Sequence, residues 1–101
     1  MEGAYLDRLS VLDPDLVRFT VTDLFGVMLT RKRLDDRTKA LCMVAGFAAL
    51  GAQDSLALFI VGAYNSGVTA TEVKEVLYQV GFYAGQNRVL QALEVFKQAQ
   101  Q

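Results

Sequence analysis

Apolar side chains recur at intervals of three and four residues along most of this chain, the spacing that covers one face of an α-helix. Nowhere do they alternate with polar ones as a half-buried strand requires. Asp13 ahead of Pro14 marks a first helix start, with aspartate as the cap and proline in the first turn. From Val17 the apolar positions Val21, Leu24 and Met28 follow, with Asp15, Arg18 and Thr22 on the opposite side, so this helix is amphipathic. Asp35 and Asp36 supply the next start, and Ala40 to Leu50 then runs apolar on every side to Gly51. Asp54 and Ser55 open a third helix, again almost wholly apolar from Leu56 to Tyr64 and ended by Asn65, Ser66 and Gly67. A capping box is legible from Thr69 to Glu72, and the stripe Val73, Val76, Leu77, Val80 and Ala84 stands opposite Lys74, Glu75 and Gln79. Gly85 closes that helix. Asn87 is the expected cap of a fifth, whose apolar face is Val89, Leu90, Leu93 and Phe96.

The pattern predicts an all-α, five-helix bundle built around a central apolar helical hairpin. A chain of 101 residues has room for one core, so residues 1–101 are read as a single domain with residues 1–12 as an N-terminal arm. Two adjacent helices that are apolar all round need neighbours on every side, and three amphipathic helices can hardly surround both. The composition agrees: 52% of residues are apolar and mean hydropathy is +0.25, which is rich for so small a monomer. A homo-oligomer is the expected remedy.

Charge narrows the partners. Ten basic and eleven acidic residues leave a net charge of −1, so no global field draws in nucleic acid or an acidic membrane. The strongest basic cluster, Arg31, Lys32 and Arg33, falls between helices, where a solvated turn is expected. No uncharged apolar stretch is long enough to span a bilayer, and Glu2, Asp7 and Arg8 leave no signal-peptide pattern. One cysteine, Cys42, permits no internal disulfide and no Cys-x-x-Cys pair, which fits a reducing, cytoplasmic setting. Between Leu41 and Met43 it reads as a buried small hydrophobe, so that Cys42→Ser would cost stability through a buried hydroxyl. Phe19, Phe25, Phe47 and Phe59 fall at core spacing.

The run Leu34 to Leu41, then Gly62-Ala63-Tyr64-Asn65-Ser66-Gly67-Val68-Thr69, then Glu72-Val73 and Tyr83-Ala84-Gly85, resembles the carboxymuconolactone decarboxylase family, part of the alkylhydroperoxidase D-like superfamily. The resemblance covers the chain from about Pro14 to the C-terminus. It implies an all-helical fold with a central hairpin, assembled as trimers or as hexamers made of them. It also implies where chemistry would sit: a glutamate, two cysteines spaced Cys-x-x-Cys and a histidine in the peroxidase branch, a histidine of that region in the decarboxylase branch. Those positions fall here on Ala40 for the glutamate, Ala52 and Ser55 for the cysteines and Phe59 for the histidine.

Neither alanine nor serine offers a thiolate and phenylalanine carries no proton, so no catalytic residue is expected from this degenerate set. With no histidine anywhere in the chain, no haem, zinc or other metal site is expected and no cofactor is implied. Tyr64 and Tyr83 stand at helix ends, where a ring packs in a core or interface while its hydroxyl finds a partner; the sharper alternative is that one of them orients a ligand. The sequence therefore reads as a non-catalytic family member, an oligomeric scaffold or a module binding a protein or a small organic acid. The alternative is an enzyme with a rebuilt site that handles an organic acid or lactone through tyrosines and Arg37 or Arg88. A closed apolar hairpin interior favours the first; a polar cavity holding Arg37 or Arg88 favours the second.

Overall fold

A computed structural model describes the backbone of residues 2–100 and the side chains of residues 6–100. Among the described residues the regular structure is wholly helical, as the spacing predicts, in six helices rather than five. The additional helix is α1, Glu2–Leu12, which occupies the residues read as an arm. The chain forms two compact units, one ending at Leu34 and the other starting at Asp35.

In the first unit α1 is followed at once by α2, residues 14–30. The Asp15 amide donates to the Asp13 carboxylate at 3.0 Å with Pro14 in the first turn, so the cap forms where the Asp-Pro pair predicts it. The middle of α2, Phe19–Gly26, is wound wide, with hydrogen bonds spanning five residues. Such winding advances each residue by less than the roughly 100° that a three-and-four spacing assumes. Val21, Leu24 and Met28 are exposed, as is Phe19, and so are Val11, Leu12, Val27 and Leu29 in the regularly wound turns of the same unit. Among the described residues of this unit only Thr20 is buried. The Thr30 hydroxyl donates to the Gly26 carbonyl at 2.7 Å in the last turn, and Arg31, Lys32 and Arg33 follow exposed in the connection to α3.

The second unit holds the core. Helix α3, Asp36–Leu50, starts where Asp35 accepts the Thr38 amide at 2.7 Å and stops at Gly51 in the left-handed region, φ 72°. The amides of Gly51 and Ala52 donate back to Ala48 and Phe47, which turns the chain into α4, Gln53–Asn65. A similar stop at Gly67 leads to α5, Ala70–Ala84, whose capping box is complete: the Glu72 amide donates to Thr69 Oγ1 at 3.1 Å and the Thr69 amide to Glu72 Oε1 at 2.9 Å. Helix α6, Gln86–Ala99, begins directly after Gly85, so Asn87 lies inside its first turn and is not its cap.

The four helices run up and down. Helix α3 packs mainly on α4 and α5, α6 packs mainly on α5 and α4, and the α4–α5 diagonal is the weakest contact of the four-helix set. Each helix gives one stripe to the centre: Ala40, Val44 and Ala48; Leu56, Ile60 and Ala63; Val73, Leu77 and Val80; Val89, Ala92 and Val95. The approach of α6 to α5 depends on Gly81, where an added Cβ would stand 2.7 Å from Val89 Cγ2.

Helices α3 and α4 are thus apolar in sequence on every side but buried along one stripe each. Leu50 and Val61 are exposed, and so is Cys42, which corrects the expectation that this thiol is buried. Cys42 lies half a turn from Val44, on the side of α3 away from the core. On α6 the buried face is Val89, Ala92 and Val95, and Leu90 turns outward at 58% exposure. No helix among the described residues is long and apolar enough to cross a membrane.

Candidate functional site

Positions 52, 55 and 59 fall at the start of α4 with helical spacing, so Ala52, Ser55 and Phe59 share one side of that helix. Phe59 lies against Phe47 of α3, the ring centroids 5.0 Å apart and the planes 16° from parallel. A stacked, half-buried aromatic pair therefore links the two arms of the hairpin at the position where the resemblance implies a histidine. Ala52 is the last residue before α4 and contributes no side-chain cap; Ser55 is half-buried one turn on. Ala40 is 8% exposed in the core stripe of α3. At a rise of about 1.5 Å per residue, the ten residues from Ala40 to Leu50 set it about 15 Å from the turn that holds Ala52.

The two arginines occupy opposite ends of α3. Arg37, in the first turn, forms an ion pair with Glu72, the same residue that closes the α5 capping box. The pair thereby ties the starts of α3 and α5 together at an exposed position. Arg88 reaches the other end: its guanidinium lies over the Gly51 turn, where an added Cβ would come within 2.9 Å of Cζ. Arg88 Nη1 also donates to Gln91 Oε1 at 3.1 Å, and the residue is half-buried. The fourteen residues between Arg37 and Gly51 correspond to about 21 Å of helix, so the two guanidinium groups do not converge on one ligand.

The tyrosines separate in the same way. Tyr64, half-buried at the end of α4, has its hydroxyl hydrogen-bonded to the Gln100 side-chain amide, which joins the ends of α4 and α6. Tyr83 is exposed in the last turn of α5. The end of the bundle at the Gly51 turn thus carries Ala52, Ser55, Arg88 and Tyr83, while Ala40, Arg37 and Tyr64 belong to the opposite end, with the Gly67 turn.

The Asp35 carboxyl is held below its ordinary value, chiefly by hydrogen bonds from the Thr38 side chain and backbone and further by the charge of Arg37. Three partners lay outside the sequence reading: Glu72 for Arg37, Gln91 for Arg88 and Gln100 for Tyr64. Only the second had a local signal, the three-residue spacing that makes neighbours on a helix surface. The others join residues of different helices.

Comparison with known proteins places these positions in a family setting. A family model described as the carboxymuconolactone decarboxylase family matches residues 14–98. Over 80 residues the chain is 32% identical to the 4-carboxymuconolactone decarboxylase of Acinetobacter baylyi (strain ATCC 33305 / BD413 / ADP1), an alignment covering 79% of this chain. The chain spans 60% of the length of that relative.

Proposed function

The chain belongs to the carboxymuconolactone decarboxylase family, and from that membership we propose that it is a cytoplasmic, non-catalytic member acting as a homo-oligomeric scaffold or binding module. The observation that carries the reading is the Phe47–Phe59 stack. A proton relay needs a titratable group within hydrogen-bond reach of the reacting atom, and a phenyl ring offers none. Ala52 and Ser55 beside it provide no thiolate for peroxide reduction. What a polar site would have cost in packing is here contributed to the hairpin as aromatic contact.

Assembly is supported by the apolar side chains that the second unit leaves in water, Leu50, Val61, Phe82 and Leu90 among them. A trimer, or a hexamer made of trimers, would cover such faces.

One observation favours a second reading, binding or turnover of a small organic acid. Arg88 sets a half-buried guanidinium at the turn that carries Ala52, and a planar cation of that kind pairs well with a carboxylate. Roughly 21 Å of helix between Arg37 and the Gly51 turn limits that site to one arginine.

The deciding experiment incubates the purified chain with 4-carboxymuconolactone and, separately, with an alkyl hydroperoxide and a dithiol reductant. Its native mass and melting temperature are followed with and without small organic acids. The non-catalytic reading expects a particle heavier than the 11.1 kDa chain and no turnover. Turnover that disappears in Arg88→Ala would establish the rebuilt-site enzyme instead.

A further inference from the structure

Helix α2 is α-wound at both ends, over Pro14–Arg18 and Val27–Thr30, and wide in between. The wide stretch ends abruptly: hydrogen bonds that span five residues give way at Val27 to one that reaches back only three, to the Leu24 carbonyl. A run of five-residue bonds inside an α-helix sets everything beyond it back by one residue, roughly 100° about the axis. The spacing of the sequence belongs to the other winding. In a continuous α-helix Val17, Val21, Leu24 and Met28 fall within an arc of roughly 60°. With the wide stretch in place, Met28 is turned away from Val17.

We propose that α2 is a two-state element. One state is the wide winding; the other is a continuous α-helix from Pro14 to Thr30, in which Val17, Val21, Leu24 and Met28 gather into one apolar face. Two observations carry this. The first is Gly26, at the exit of the wide stretch. A Cβ there would stand 3.3 Å from the Val21 carbonyl oxygen, five residues back, closer than a β-carbon normally sits to a neighbour. That oxygen belongs to the backbone and cannot swing aside, so the wide form favours glycine at the one position where an α-helix most disfavours it. The second is packing. Wide winding is rare, and a rare backbone conformation persists where its surroundings over-determine it. Among the described residues of this unit only Thr20 is buried, so a single side chain ties the eight residues Phe19–Gly26 to a core. The α form is therefore within reach. Rewinding turns Val27–Thr30, and the basic connection that follows, about the axis of Pro14–Arg18, which gathers or disperses the apolar face. Whatever covers the gathered face draws the helix into the α form by as much as it prefers that form.

The test is solution NMR on the deuterated full chain, wild type and Gly26→Ala. Amide–carbonyl couplings across hydrogen bonds name the acceptor of each amide in the wide stretch, and relaxation dispersion reads exchange on the microsecond-to-millisecond scale. The wild type should show dispersion at amides from Phe19 to Thr30, with minor-state shifts that coincide with the shifts of Gly26→Ala. In Gly26→Ala the couplings should run to carbonyls four residues back. Flat dispersion in the wild type with couplings to a single set of acceptors overturns the proposal, and so does a folded Gly26→Ala chain whose couplings still span five residues. The resonances of Val44, Ile60 and Leu77 report whether the variant is folded. If it is not, the wild-type dispersion decides alone: exchange confined to α2 supports two windings, and its absence overturns them.

Discussion

Gly51 meets two demands at once, and replacing it with alanine should expose both. Its φ of 72° lies where an L-residue with a Cβ is disfavoured by about 1–2 kcal/mol. The new methyl would also collide with Arg88, whose Cζ stands 2.9 Å from the ideal Cβ position. Moving the guanidinium breaks its half-buried hydrogen bond to Gln91, worth about 0.5–1.5 kcal/mol. Against these, alanine narrows the unfolded ensemble and recovers about 0.4–1 kcal/mol. The net cost is about 1.5–2 kcal/mol, which for a domain of this size lowers Tm by about 10 °C. Urea denaturation at fixed protein concentration reads it, and a double-mutant cycle separates its parts. In an Arg88→Ala background Gly51→Ala should lose only the backbone portion, with a coupling of about 1 kcal/mol between the two sites. Equal costs in both backgrounds would refute the reading that the Arg88 guanidinium lies against Gly51.

Other perturbations have outcomes set by the same contacts. Thr69→Ala should cost about 1 kcal/mol in urea denaturation, whereas Glu72→Gln should cost less than about 0.5 kcal/mol. The amide of glutamine keeps the capping box and loses only an exposed ion pair. Because Asp35 has its pKa lowered on folding, its contribution is fully present above the unfolded value of about 3.9 and is lost as pH falls through the folded one. Asp35→Asn should therefore flatten the acid limb of a stability–pH profile below about pH 4. Gly81→Ala should destabilise by about 1–3 kcal/mol through the Val89 clash. Gly46→Ala, whose Cβ meets nothing within 4 Å in the chain, should instead stabilise the helix by about 0.5–1 kcal/mol; thermal melts of the pair distinguish the two. Cys42→Ser should change Tm by no more than an ordinary surface substitution, within about 0.5 kcal/mol, because its side chain is exposed.

The boundaries of the helices were legible because their chemistry is local. Asp13 with Pro14, Asp35, Gly51 and the Thr69–Glu72 box each act within four residues of where they stand, and each appears where the sequence puts it. Asn87 misled because Gly85 already breaks the chain one residue ahead of the helix, leaving asparagine no capping position. Faces were harder. Helix α3 is apolar all round from Ala40 to Leu50, so its sequence holds no information on which side is buried, and Cys42 lies on the exposed one. In α2 the apolar positions Val21, Leu24 and Met28 are exposed, so amphipathic spacing alone does not mark a core face. The candidate site was legible only as a set of substitutions at Ala40, Ala52, Ser55 and Phe59. That Phe59 finds Phe47, and that Arg88 comes to rest over Gly51, are facts of tertiary packing between residues 12 and 37 positions apart, which no local pattern encodes.

The larger side chains at the centre of the second unit are mostly branched at Cβ: Val44, Ile60, Val73, Val80, Val89 and Val95, set against Leu56, Leu77 and four alanines. In a helix such residues are confined to nearly one χ1 well, so the chain surrenders much of their freedom as soon as the backbone coils. Little remains to be frozen when the helices meet, and few alternative arrangements of the same side chains are open to them. The interior should therefore behave as a set of rigid inserts, with methyl groups of high order parameter in relaxation measurements. A methyl removed from it should leave a void that neighbours cannot fill by changing rotamer.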